Sequence, residues 1–256
     1  MTLLTALERT AGDGAGHSLR RIDPRIRVVA AVAFAVVTVA LHEPWPLVAA
    51  LAVATALAMA AALPVRATLR RMLVLDVIVL PLLAILPFTV PGAVAFAVGG
   101  TAASWEGIGR AIEVLLTTNA VVLALIALVG TIEPSLLGHA LAGLRLPPKL
   151  VQLFLLTTRY VAVLHEEHER LRQAMRARAF RPRGNRHTWT SYGWLFGMLL
   201  VRSFERAERI LEAMRCRGFD GRVHRLAPAP ADRGSLAFGI GFGLLLALLL
   251  VADRIA

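Results

Sequence analysis

Residues 189–219 read WTSYGWLFGMLLVRSFERAERILEAMRCRGF. Up to Val201 the stretch is uncharged and largely apolar; from Arg202 onward it carries Arg and Glu at helical spacing and ends on Gly218-Phe219. No proline interrupts it, so it reads as one helix from about 190 to 217, apolar in front and charged behind. The same composition occurs upstream. LVQLFLLTTRYVAVL at 150–164 is followed by HEEHERLRQAMRARAF, a helix expected from about 149 to 178 after the Leu-Pro-Pro of 146–148. At an offset of 39 the charged halves agree at eight of fifteen positions, from Glu166/Glu205 through Ala174/Ala213 to Phe180/Phe219. Composition alone does not produce that order, and it implies one device used twice.

The repeated ending has a physical logic. Gly218 suits the left-handed residue that closes a helix, and Phe219 is placed to pack back on Met214, the arrangement of a Schellman motif. Arg176, Arg178, Arg215 and Arg217 crowd the last turns, where the helix dipole favours cations and a guanidinium can make bidentate contacts with carboxylates or carbonyls. Ala179, standing where the second copy has Gly218, predicts a cap that forms less readily and two helix ends of unequal geometry.

Around this pair the chain is apolar. Of its 256 residues 57% are hydrophobic, and the mean hydropathy is +0.66, typical of a polytopic membrane protein. Of 28 basic residues, 27 are arginine and Lys149 is the only lysine. Between Arg145 and Arg233 there are 18 basic and 8 acidic residues, so +10 of the formal +11 lies in one stretch. The spans predicted from length and apolarity are 26–41, 47–63, 72–90, 108–130 and 235–252. Arg20, Arg21, Arg25 and Arg27 precede the first and Arg66, Arg70 and Arg71 follow the second, while the HEPWP of 42–46 and residues 72–109 have no basic residue. This alternation places the N-terminus in the cytoplasm. The expected organisation is all-α: a membrane region of about four spans over 1–130, a cytoplasmic region with two long helices over 131–234, and a last transmembrane helix over 235–256. The polar first 24 residues do not read as a cleaved signal peptide. Residues 91–104, with Pro91, Gly99 and Gly100 as breakers, read as an external loop or a re-entrant piece. Asp76 stands out in the third span. It lies either at the interface with the nearby arginines or at a pathway or interhelical contact.

Several motifs fail. His165-Glu166-Glu167-His168 has its histidines three apart, where zinc proteases need them four apart on one helical face. GIGFG at 239–243 lies within an apolar run and is no dinucleotide loop, although Gly239 and Gly243 form a small-residue face for helix packing. There is no GxSxG and no phosphate loop of the GxxxxGK[ST] type, and the lone Cys216 allows neither an intrachain disulfide nor a Cys cluster. No metal site, cofactor or catalytic residue is expected. The glutamates interleaved with the arginines favour protein docking over nucleic acid.

HSLRRIDPRIRVV at 17–29, the segment from EPSLLGHALAGLRLPP at 133–148 through AMRARAF, and RSFERAERILEAMRCRGFDGR at 202–222 together resemble the transmembrane (T) component of energy-coupling factor transporters, the EcfT family, in its cobalt/nickel-type members called CbiQ. The resemblance spans nearly the whole chain. It implies a non-catalytic coupling subunit in a prokaryotic cell membrane, importing cobalt, nickel or another micronutrient. The implied partners are two ATPase subunits, a membrane-embedded substrate-binding (S) component and, in metal-ion systems, sometimes a small accessory membrane protein. The family's two coupling helices end in Ala-Arg-Gly signatures that dock on the ATPases. Carried onto this chain these are Ala177-Arg178-Ala179 and Cys216-Arg217-Gly218, supported by Met175, Arg176 and Phe180 and by Met214, Arg215 and Phe219. Each copy departs at one position, and the arginine is present in both. Read without the resemblance, the residues also admit a secondary transporter with a basic regulatory domain, or a membrane scaffold.

Overall fold

The structure, a computed structural model, describes residues 22–98, 101–144, 146–219 and 233–255. Arg20, Arg21, Gly99, Gly100, Arg145 and the DGR of 220–222, all used in the sequence reading, lie outside them. The described residues form eight helices and one hairpin: α1 (Pro24–Ala40), α2 (Pro44–Ala60), α3 (Val65–Thr89), β1 (Val94–Val98), β2 (Thr101–Ser104), α4 (Trp105–Leu128), α5 (Pro134–Gly143), α6 (Pro148–Ala177), α7 (Arg186–Cys216) and α8 (Arg233–Ile255). They divide into two compact units.

The first unit holds α1 to α4, the hairpin and α8. By length and apolarity α3, α4 and α8 can cross a membrane. Helices α1 and α2 have 17 residues each, about 25 Å of helix and the short end of what the hydrocarbon core requires. Helix α4 is the hub and packs on α1, α2 and α3, while α8 packs on α1 and α2. The core mixes alanines with leucines and phenylalanines, and Ala31, Ala50, Ala54, Ala120 and Ala124 are fully or almost fully buried. Small side chains let helix backbones approach closely, which is how apolar helices gain packing where lipid offers no hydrophobic drive. Phe34, Leu47 and Leu128 are fully buried beside these alanines, and Phe34 stacks on Phe242 of α8 with ring centroids 6.1 Å apart. The Gly239/Gly243 face is used at one position only. A β-carbon on Gly239 would stand 3.2 Å from Ile26 of α1, whereas Gly243 faces open space.

Polar groups fix the ends of these helices. Asp23 caps α1 by accepting from the Arg25 backbone N–H, and its own N–H donates to Ser235 Oγ of α8 at 2.9 Å. At the other end of α8, Asp253 accepts from the backbone N–H groups of His42 and Glu43 at 3.1 and 3.0 Å, capping the start of α2 from across the unit. Ser104 caps α4 through the Gly107 N–H and donates to the Val90 carbonyl at 2.6 Å, joining the end of α3 to the start of α4.

Three sequence readings change here. Arg27, counted above as a loop charge, is buried and donates to the Ala127 carbonyl and to Thr131 Oγ1, where it meets the negative end of the α4 dipole. Asp76 accepts from Asn119 Nδ2 at 2.8 Å, so it is an interhelical contact between α3 and α4. Residues 91–104 hold an antiparallel hairpin with Val98 opposite Thr101. The available signal was the run of strand-forming residues on either side of Gly99-Gly100 in the sequence.

The second unit contains α5, α6 and α7. Helix α5 is absent from the sequence reading, which assigned two helices to this region. It packs on α6 at Gly138, where a β-carbon would stand 2.3 Å from Leu155. Helix α7 starts at Arg186, four residues before the expected 190, because Asn185 caps it. Its side chain accepts from Thr188 N at 3.1 Å, and Thr188 Oγ1 in turn accepts from Arg183 N.

Candidate functional site

The two repeated helix ends close in the same way. At the end of α7, Gly218 has φ +80°, its N–H donates to the Arg215 carbonyl at 3.0 Å, and Phe219 N–H donates to the Met214 carbonyl at 3.0 Å. These are the paired bonds of a Schellman motif. At the end of α6, Ala179 has φ +61°, its N–H donates to the Arg176 carbonyl at 2.9 Å, and Phe180 N–H donates to Met175 at 3.1 Å. The C-cap arginines are nearly superposable in backbone angle: φ −85°, ψ 19° at Arg178 and φ −93°, ψ 13° at Arg217. The expectation of unequal geometry is therefore corrected. The alanine takes the left-handed conformation, and the cap forms in both copies.

Exposure follows the same pattern. Arg176, Ala177, Arg178 and Ala179 are exposed, as are Arg215, Cys216, Arg217 and Gly218. Met175 and Phe180, like Met214 and Phe219, are half-buried and line grooves between the helices. Each guanidinium thus projects from a helix end whose backbone is held by two hydrogen bonds and an apolar anchor. What differs is the surroundings. Phe180 lies edge-on to Tyr192 with ring centroids 5.9 Å apart and near His187 at 6.3 Å, whereas Phe219 shares a groove with Tyr160 and Leu164.

Helices α6 and α7 run antiparallel. Gln152 and Tyr160 near the start of α6 share a groove with Ile210 and Met214 near the end of α7, and Met175 at the end of α6 shares another with His187 and Trp194 at the start of α7. Between the grooves, buried Glu167 accepts from Arg202 and pins the two helices together. At 1.5 Å per residue from that crossing, Arg178 and Arg217 lie at opposite ends of the pair, up to roughly 40 Å apart. The intrahelical pairs Glu166–Arg170 (3.8 Å) and Glu205–Arg209 (3.9 Å) repeat at the same offset on exposed faces, where such pairs contribute little. With Glu167 engaged by Arg202, the HEEH sequence assembles no ligand set. Among the described residues no group of three or more His, Cys, Asp or Glu is placed to hold a metal ion.

The antiparallel pairing also sets each apolar front half beside the charged back half of its neighbour. On α7 the exposed side chains Trp189, Phe196, Leu200 and Phe204 recur at intervals of 7, 4 and 4, one continuous stripe that extends past Arg202 into the charged half. Apolar and charged residues are thus separated around the helix as well as along it, which the two-halves description missed.

An apolar helix bundle with membrane-length helices, together with a unit of paired helices whose ends match, defines a multi-pass helical membrane protein. The family model for CbiQ, the cobalt transport protein, matches residues 15–227, and the chain belongs to that family of membrane transport proteins. It is also similar to the uncharacterized protein MJ1089 of Methanocaldococcus jannaschii, with 32% identity over 83 residues. That match covers 32% of this chain and 31% of the relative, so the chain spans about a third of the length of that protein.

Proposed function

We propose that this chain is the coupling subunit of an ATP-driven importer of cobalt or nickel ions, docking two ATPase subunits through the ends of α6 and α7 and linking them to a substrate-binding membrane component. The observation that carries the reading is the pair of equivalent capped ends, each presenting an arginine outside a Schellman motif. One such end is an ordinary helix terminus. Two with matching backbone angles, at opposite ends of one pinned helix pair, suit two copies of one kind of partner. A guanidinium held at a capped helix end loses little freedom on binding, and bidentate contact with carboxylates or carbonyls in a partner's groove gives directional docking. The family's description as cobalt transport supports the cargo. The exposed apolar stripe on α7 suits contact with the membrane partner or with lipid.

In this reading the ATPases sit in the cytoplasm of a prokaryote, on the N-terminal side of the first span, and their closure on ATP moves the two ends of the pair. Glu167–Arg202 makes the pair move as one body. The direct test is Arg178→Glu with Arg217→Glu in the co-expressed complex. Loss of ATPase co-purification and of substrate uptake is expected; assembly and uptake at wild-type levels would sink the docking role.

A further inference from the structure

The turn between α6 and α7 is the most one-sided region of charge in the chain. From Arg170 to Phe204 the sequence holds eight arginines and no Asp or Glu. The end of α6 and the start of α7 enclose a groove of about 800 Å³, whose lining combines Arg178, Arg181 and Arg183 with Met175, Trp194 and Met198 and contains no carboxylate. Arg202 in the same lining is engaged by Glu167, whereas the other three arginines form no ion pair among the described residues. Trp194 and Trp189 on α7 are 77% and 76% exposed. The groove at the opposite end of the pair differs. It is smaller, about 420 Å³, and Arg206 is the one cation in a nearly apolar lining.

Three guanidiniums without a counter-ion, beside an exposed indole and two thioethers, call for a ligand that is anionic at one end and apolar at the other. In a chain that carries membrane-spanning helices, the abundant molecule with that character is an anionic phospholipid. Arginines hold its phosphate, and tryptophan rests at the level of its headgroup. We propose that this groove binds an anionic phospholipid, with the phosphate on Arg181 and Arg183 and the acyl chains along Trp194 and Met198. The groove shares Met175, Arg178 and Phe180 with the proposed docking end, and the phosphate is placed on Arg181 and Arg183, to which the coupling role gives no contact. A bound lipid makes the two ends of the pair unequal through their surroundings, since one is tethered to lipid and the other is not.

Full-length protein in neutral detergent, offered phosphatidylglycerol and phosphatidylcholine together, is read by native mass spectrometry of the lipid retained. The wild type is expected to retain phosphatidylglycerol preferentially, and millimolar inorganic phosphate is not expected to displace it. Arg181→Glu with Arg183→Glu lowers that retention by at least about tenfold and leaves ATPase co-purification unchanged, whereas Arg206→Glu at the other groove leaves retention unchanged. Trp194→Ala keeps every charge and is expected to weaken retention of phosphatidylglycerol, which preserves the test if the charge-reversed variant fails to fold. Equal retention of the two lipids by the wild type, or displacement by free phosphate, overturns the proposal. So does a double variant that keeps its lipid and loses the ATPases, since the groove would then belong to a protein partner.

Discussion

At the scale of single residues the informative position is Ala179. An L-residue in the left-handed region costs about 1–2 kcal/mol relative to its usual conformations, yet Ala179 adopts φ +61° and completes the cap. Two backbone hydrogen bonds and the packing of Phe180 beside Tyr192 offset the penalty. Ala179→Gly should therefore stabilise the second unit by about 1 kcal/mol, and Gly218→Ala should destabilise it by a similar amount, both measurable by thermal unfolding in detergent. Loss of Arg217 therefore has no backbone reason to cost more than loss of Arg178. The motif was legible at Gly218-Phe219 because glycine announces its conformation. In the other copy it was hidden, because a penalty of this size is overridden by contacts that one sequence does not display. Arg27 was misread for a related reason. An arginine before a span looks like any other until α4 is seen to present Ala127 and Thr131 to it. Arg27→Met removes one of the two side-chain donors to the Ala127 carbonyl, which keeps its bond from Thr131 Oγ1 at 2.9 Å, and should lower the stability of the first unit by about 0.5–1.5 kcal/mol, read in the same thermal assay.

Among the elements, α3 and α4 are held by close approach and by polar contacts. A β-carbon on Gly107 would lie 2.6 Å from the Pro87 Cα and 2.7 Å from the Leu86 carbonyl, both backbone atoms that cannot swing aside. Gly107→Val is expected to separate the two helices and cost about 1–3 kcal/mol, seen as a lower unfolding temperature. For α6 and α7, a double-mutant cycle with Glu167→Gln and Arg202→Met should give a coupling of about 0.5–3 kcal/mol. Additive effects would show that the ion pair does not hold the helices together. The periodicity of the sequence located the long helices to within about four residues, except at the start of α3, which begins at Val65, seven residues before the expected span of 72–90. It missed α5, whose contact depends on Gly138 lying under Leu155, a neighbour that only the packed unit supplies.

On the scale of the whole molecule, the proposed role predicts no uptake by this chain alone. Reconstitution with the ATPases and the substrate-binding component should restore ATP-dependent uptake, and ATP-independent transport by the isolated chain would return the secondary-transporter reading. Apolar runs, segregated arginines and a charged helix ending written twice were sufficient, by themselves, to establish a helical membrane protein and to point to two arginine-bearing helix ends; Arg178 and Arg217 within them were singled out by the family resemblance. Those properties are local, and each can be read within one turn or one span. Only the tertiary structure established that α6 and α7 run antiparallel, that their capped ends are equivalent in backbone yet open on different grooves, and that Arg27 and Asp76 make contacts within the bundle. The physical reason is that these depend on which side chains meet across helices, and the energy of such meetings belongs to the pair and not to either residue alone.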